Sequence, residues 1–381
     1  MIELPVKRLE PGMTLAQSIY NTNGVNYLTR GTQLTYKYIE RLRQLGVDNI
    51  HVMSTANDVQ LRLPEDVLSE RTRAAAVKRV YDAFQQVMTN GTFDMPPIAQ
   101  AAASIINDIM ERRGNLVQLT DIRIHDMYTF VHCVNVAMLS TMIGVLDGLR
   151  GRELSMLCIG ALLHDLGKIV VPSAILNKPG RLTDEEFAIV KKHPQAGADR
   201  ILSMGLPDGE TLAVVAQQHH EHMDGTGYPD HREGKQIHKF GRMCAIADVY
   251  DALTSERPYK KAYTPSIAYN IMMRCSPGQF DEHLLQLFFR NVAIYPVGTV
   301  LKTSVGHAIV KKAEFGHTER PDVVLFSDLN GRMLDAATHI RLTDRPEVKI
   351  EGVVNDQELY HFIHVLGKDP AVFLTEESET A

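Results

Sequence analysis

Two short segments crowd together the side chains that could do chemistry: His164-Asp-Leu-Gly-Lys168 and His219-His-Glu-His-Met-Asp-Gly-Thr-Gly-Tyr-Pro229. Imidazoles and carboxylates set beside apolar sequence are costly to bury unless a cation satisfies them. Three further residues share that setting. His132 lies in the apolar run 130–147, His193 directly precedes Pro194, and Asp248 interrupts Met243-Cys-Ala-Ile-Ala-Asp-Val-Tyr250. The sum is five imidazoles and two carboxylates: His132, His164, His193, His219, His220, Asp165 and Asp248. Two divalent ions need roughly ten to twelve ligand positions, which a mixed N/O octahedral set with a shared solvent oxygen can fill. With no thiolate in the set, Fe or Mn is favoured over structural Zn, while Zn, Co and Ni stay open. Two such ions about 3.5–4 Å apart acidify a shared water and hold a phosphoryl oxygen during in-line attack. The chemistry within reach is metal-assisted hydrolysis at phosphorus.

Neighbouring side chains on a helix diverge by about 100°. His164 and Asp165, closing the apolar helix predicted over Cys158–Asp165, would then not chelate one ion in the simplest way. The carboxylate would bridge two ions while the imidazole served one. Other histidines stand apart from this set. His51 has no partner nearby in sequence, His222 and His231 border the glycine-rich loop, and His361-x-x-His364 falls in a β-rich stretch despite its helical ligand spacing. His125 and Asp126 precede His132 and could help orient it.

Helices must carry these residues. From about 98 to 292 the periodicity is helical almost throughout, and 130–147 and 153–168 are apolar enough for core helices. Thr183-Asp-Glu-Glu186 fits a capping box, and Thr264-Pro265 an N-cap with proline at the first helical position. Upstream, 65–114 reads as two helices joined at Pro96-Pro97. Residues 1–64 read as a small α/β module with a hairpin turn at Asn23-Gly24, a helix from Thr35 to Gly46 with Tyr38, Leu42 and Leu45 on one face, and a strand over 49–52. Beyond Pro296, the stretches 298–303, 306–310, 322–326 and 348–350 read as short strands, and 375–381 as a frayed tail. The predicted layout is multidomain: an N-terminal α/β domain (1–64), a helical linker (65–114), a mainly α-helical domain (115–293) and a β-rich C-terminal appendage (294–381).

A chain of 381 residues exceeds one ordinary core, in keeping with that division. A net charge of −6 argues against a protein that coats DNA or RNA, because neutralising a phosphate backbone needs a basic face. It leaves room for a basic pocket around a small anion. The four cysteines, Cys133, Cys158, Cys244 and Cys275, form no C-x-x-C pair and read as reduced and mostly buried. No leader is evident at the start, and the most apolar windows, 136–146 and 158–163, fall short of a membrane span. A soluble, cytoplasmic protein is expected.

In order along the chain stand Tyr-Thr-x-x-His (128–132), His-Asp-x-Gly-Lys (164–168), His-Pro (193–194), His-His-Glu…Asp-Gly-x-Gly-Tyr-Pro (219–229) and Ala-Asp-x-Tyr-Asp-Ala-Leu-Thr (247–254). Together they resemble the HD-GYP subgroup of the HD phosphohydrolase superfamily over roughly 115–290, about half the chain. The resemblance implies an HD-type helical catalytic domain that hydrolyses cyclic di-GMP to the linear dinucleotide pGpG and sometimes to GMP. It implies metal ligation by the seven residues named above, catalytic roles for Asp165 and Lys168, and substrate contacts from Lys168, Tyr228, Arg257 and Lys260. On this reading a hydroxide shared by the two ions attacks phosphorus and the 3′-oxygen leaves. The same chemistry on 3′,3′-cyclic GMP-AMP or another nucleotide is an alternative. A non-hydrolytic sensor or docking module is another, disfavoured by the intact ligand set.

The basic residues suit an anionic substrate. A guanidinium clamps phosphate oxygens in a forked geometry and a lysine acts as a mobile point charge, against the plainer reading of 255–261 as a solvated charged loop. Tyr228 suits a guanine face or a phosphate, as well as simple loop packing. Some family members hold a third metal with a Glu four residues before the first histidine; here that position is Tyr128, which points to two metals and weakens the case for the second cut to GMP. Leu9-Glu-Pro-Gly-Met13 resembles part of the small domain often found ahead of such catalytic domains. Protein partners at the terminal domains or the glycine-rich loop, and a homodimer, are compatible with this layout.

Overall fold

The computed structural model describes residues 2–16, 19–20, 26–29, 31–45, 47, 49–52, 67–112, 128–178, 180–255, 262–355, 358–359 and 370. Near the N-terminus, β1 (Ile2–Pro5) is followed by β2 (Ile19–Tyr20), β3 (Asn26–Leu28), α1 (Tyr36–Gln44) and β4 (Asn49–Val52). β1 pairs antiparallel with β4, and β2 with β3. The Thr35 hydroxyl accepts from the Tyr38 N–H and starts α1, as its type predicts. The buried stripe of α1 is Ile39 and Leu42, packed with Leu15, Ile19, Leu34 and Ile50, and Tyr38 lies at its edge. Leu45 is the C-cap rather than part of that face. The turn expected at Asn23-Gly24 and the stop at Gly46 lie outside the described residues.

α2 (Glu70–Asn90) opens on the Ser69 side chain and ends at Gly91, whose φ of 75° is the left-handed conformation that closes a helix without a Cβ clash. α3 (Met95–Glu111) then takes Pro96 and Pro97 into its first turn, where a missing N–H costs nothing. The prolines therefore begin the second helix, and Gly91 makes the break assigned to them.

The helices that follow are α4 (Tyr128–Leu146), α5 (Gly151–Leu162), α6 (Ser173–Leu176), α7 (Asp184–Val190), α8 (His193–Ser203), α9 (Gly209–Gln218), α10 (Lys239–Thr254), α11 (Pro265–Gln279) and α12 (Glu282–Phe289). The Thr183–Glu186 capping box and the Thr264 N-cap both form. α4 is apolar nearly all round, the mark of a central helix, and it packs against α2, α5, α10 and α12. It is the one described helix long and apolar enough to cross a membrane, and its window Thr129–Leu146 is 83% buried inside the fold. That window is longer than the sequence suggested, because His132 and Asn135 do not lower its mean hydropathy enough to interrupt it.

The chain closes with β5 (Val300–Thr303), β6 (Gly306–Lys312), β7 (Asp322–Ser327), β8 (Met333–Arg341) and β9 (Ile350–Val353), an antiparallel sheet ordered β8-β7-β6-β5-β9. Alternate residues bury on opposite faces: Leu301, Val310 and Val323 on one, Val300, Ile309 and Val324 on the other. β8 was missed in the sequence. It is an edge strand, and most of its residues face solvent without a clean apolar alternation. The fold is thus mostly helical with a small C-terminal antiparallel sheet.

Candidate metal centre

The site forms where helices end. α5 stops at Leu162, so His164 and Asp165 sit in the turn between it and the 3-10 segment Leu166–Val170. Freed from the 100° helical divergence, they converge: His164 Nε2 lies 3.4 Å from Asp165 Oδ2. The expectation that adjacent residues could not face one ion is corrected by this early helix stop. Gly167 brings in the next ligand. A Cβ there would fall 1.9 Å from the His193 carbonyl oxygen and 2.5 Å from the Gly197 nitrogen, so only glycine lets this turn seat against α8. His193 opens α8, His219 caps α9, and His220 follows it in the turn. His132 comes from α4 and Asp248 from α10.

All seven predicted ligands meet. Six of them form two groups, His132, His164 and Asp165, and His193, His219 and His220, each with its ligand atoms within 4.8 Å of one another, and Asp248 lies between the groups. The two carboxylates tie the groups together. Asp165 Oδ2 lies 3.7 Å from His132 Nε2, and its Oδ1 lies 3.4 Å from His193 Nε2 and 4.0 Å from His219 Nε2. Asp248 Oδ1 lies 3.0 Å from His132 Nε2, and its Oδ2 3.8 Å from His220 Nδ1.

The hydrogen bonds at the far side of each ring test whether a cation fits. His164 Nδ1 meets the Ala161 carbonyl at 2.7 Å, His193 Nδ1 the Val190 carbonyl at 2.7 Å, and His219 Nδ1 the Ala216 carbonyl at 2.8 Å. A carbonyl only accepts, so each Nδ1 carries the proton and, in the neutral ring, each Nε2 is a bare lone pair. Those lone pairs point at one another. His193 Nε2 and His219 Nε2 are 3.2 Å apart, and buried His164 Nε2 has no hydrogen-bond partner. Such an arrangement is repulsive unless a cation occupies the middle, and an all-N/O donor set suits a divalent one. The residues fit.

The proton inventory divides along the same lines. Burial opposes charge on His132, but hydrogen bonds to Asp248 and Asp251 outweigh it and lift its pKa to about 9. Burial pushes His193 down to about 4 and His220 to about 3, and depresses His219 as well. Burial also works against the charged carboxylate of Asp165, yet Lys168 and His164 hold it well below the usual range. Lys168 Nζ sits 2.6 Å from Asp165 Oδ2, at the solvent edge of the cluster.

The flanking loop is fixed from below. Glu221 is buried and accepts from the Asp230 N–H at 2.7 Å and the Arg232 N–H at 3.1 Å. Gly227 is required because a Cβ would fall 2.3 Å from the His222 nitrogen. The Tyr228 ring therefore stacks on His220, with centroids 4.8 Å apart and planes 26° from parallel, and meets Phe187 edge-on. His222 bonds Thr226 and stays out of the cluster. Sequence reasoning missed Glu221 and Asp251. Asp251 is fully buried and takes His132 Nδ1 at 2.7 Å; its spacing of three from Asp248, on the same helical face, was the available signal. Arg257, Lys260, His125, Asp126, His361, His364 and the expected tail lie outside the described residues, and Tyr128 opens α4 with its side chain not described.

Residues 100–284 match the HD domain family. The chain is 34% identical over 252 residues to a cyclic di-GMP phosphodiesterase of Pseudomonas aeruginosa, covering 66% of this chain and 59% of that protein. It is 38% identical over 146 residues to a cyclic di-GMP phosphodiesterase response regulator of Xanthomonas campestris, covering 38% and 39% of the two chains. It is 34% identical over 163 residues to a 3′3′-cGAMP-specific phosphodiesterase of Vibrio cholerae, covering 43% and 31%. The chain spans less than two thirds of the length of each of these relatives.

Proposed function

We propose that this chain, whose residues 100–284 match the HD domain family, belongs to the HD-GYP branch of that family and is a metal-dependent phosphodiesterase that opens cyclic di-GMP to pGpG. The observation that carries this reading is the ring of inward lone pairs on His164, His193 and His219, joined by two carboxylates that each reach both groups. In this reading His132, His164, His193, His219, His220, Asp165 and Asp248 hold two divalent ions, Fe or Mn ahead of Zn, Co or Ni. When bound, the ions supply Lewis acidity and an acidified water.

The chain's own residues do the rest. Asp165 and Asp248 fix the spacing of the two histidine groups. Lys168, a quarter exposed beside Asp165, offers its ammonium to an arriving phosphate. Burial, with Asp248 and Asp165 nearby, raises the Tyr228 pKa, so its hydroxyl stays protonated and can donate to a phosphate oxygen while its face remains stacked on His220. Arg257 and Lys260 come shortly after α10 in the sequence and in this reading clamp the second phosphate. Residues 115–293 are the catalytic domain in this proposal, preceded by a 1–64 α/β domain and a 65–114 helical linker and followed by the 294–381 β-rich appendage.

The likeness to 3′3′-cGAMP-specific relatives favours one second reading, the same chemistry on that substrate. Purified chain, loaded anaerobically and analysed for metal, should convert cyclic di-GMP to a linear product faster than it converts 3′,3′-cyclic GMP-AMP. The reverse preference selects the second reading. Recovery of both ligands unchanged from metal-loaded protein overturns the enzyme altogether.

A further inference from the structure

A buried arginine lies outside the matched domain and is wired to a predicted ligand. Arg73, 2% exposed on α2, donates from Nη1 to Asn135 Oδ1 on α4. Asn135 Nδ2 donates to Asp251 Oδ1 at 2.8 Å, and Asp251 Oδ2 meets His132 Nδ1 at 2.7 Å. Every direction in this chain is forced. A guanidinium only donates, so the amide atom facing it must be oxygen. The amide nitrogen is thereby turned to Asp251, a carboxylate that only accepts, and the remaining carboxylate oxygen then fixes the proton on His132 Nδ1. That leaves His132 Nε2 as the atom offered to the centre.

Resting on the metal reading of the site, we propose that Arg73 is a positioning residue for the metal centre: through Asn135 and Asp251 it sets which nitrogen His132 presents and in what orientation. The functional unit therefore extends upstream of residue 100 to include α2. Partners of this kind behind a ligating histidine typically change metal affinity by about 10- to 100-fold.

The test is Mn²⁺ binding to the full chain, measured without substrate by competition with a fluorescent chelator, alongside a thermal melt of the cation-free protein. Arg73→Met should weaken one Mn²⁺ equivalent by about 10- to 100-fold and leave the other near the wild-type value. Arg73→Lys, which keeps a donor to Asn135, should recover most of that loss. Asn135→Leu should reproduce it, and the double variant should be no worse than the poorer single, because both substitutions cut one chain. If Arg73→Met does not fold, Arg73→Lys and Asn135→Leu decide by the same comparison. Wild-type Mn²⁺ affinity in folded Arg73→Met or Asn135→Leu, or losses that simply add, overturns the proposal. A wild-type chain that binds no Mn²⁺ overturns the metal reading beneath it, which is a distinguishable result.

Discussion

The two halves of the cluster use the same ligand type but prepare it differently. His193 and His219 are held at Nδ1 by backbone carbonyls, which orient a neutral ring and give nothing to a positive one beyond a dipole. His132 is held by a carboxylate at each nitrogen, Asp251 behind and Asp248 in front. Burial leaves the first half neutral and open to a cation, with His193 and His220 at about 4 and about 3. In the other half His132 keeps a proton until about pH 9, and a cation must displace it, while His164 is held at Nδ1 by a carbonyl as His193 is. Ring orientation alone does not define a metal site; the charge behind each ring decides the proton cost of binding.

Asp165 is the sharpest place to break this contrast, because it serves both halves. Asp165→Ala should lower cation affinity in both groups by more than about 100-fold, beyond the effect of a supporting residue, and remove turnover. Metal content by mass spectrometry checks it, and retained turnover in the metal-free variant would end the proposed mechanism. Asp251→Asn should act on one half only. It removes the charge behind His132 while preserving shape, and should cost about 10- to 100-fold at one equivalent, read as a biphasic titration where wild type is tighter.

The halves should also respond oppositely to pH in the cation-free protein. His132 has a folded pKa raised from 6.5 to about 9, so its contribution is present below pH 6.5 and lost as pH climbs through 9. His193 and His220 are depressed, so the unfolded chain binds more protons than the folded one just below pH 6.5, and stability falls as pH drops there. Urea unfolding after chelation should show greatest stability near pH 6.5. His132→Gln should flatten the alkaline limb and His193→Gln should make the acidic one shallower, His219 and His220 carrying the rest; unchanged limbs would show that the protons are held elsewhere.

The sequence made the ligands legible because their types and order are unusual, and the capping signals at Thr35, Thr183 and Thr264 because caps are local chemistry. What it hid depends on three dimensions. The helix stop before His164, which lets neighbours converge, is set by the seating of Gly167 on α8, a contact with no sequence-local mark. Nothing local in the sequence marks Arg73 and Asn135 as partners, because their contact arises only when α2 packs on α4. β8 escaped because an edge strand has only one neighbour to bury against.

The smallest expected effect lies at Tyr228, on the rim of the open half. Its ring covers His220 by stacking, and such a contact is worth about 0.5–1.5 kcal/mol, so Tyr228→Ala should raise KM by roughly 2- to 10-fold. Tyr228→Phe keeps the stack and loses only the hydroxyl. If the hydroxyl donates to a phosphate oxygen, the Phe variant should show part of that rise, while its Mn²⁺ affinity stays at the wild-type value because no ring nitrogen has lost a partner. Steady-state kinetics on cyclic di-GMP beside a chelator titration separate the two effects. A fall in Mn²⁺ affinity in Tyr228→Phe would mean that the loop, like Asp251 on the other side, orients a ligand, and the contrast between a braced half and an open half would no longer hold.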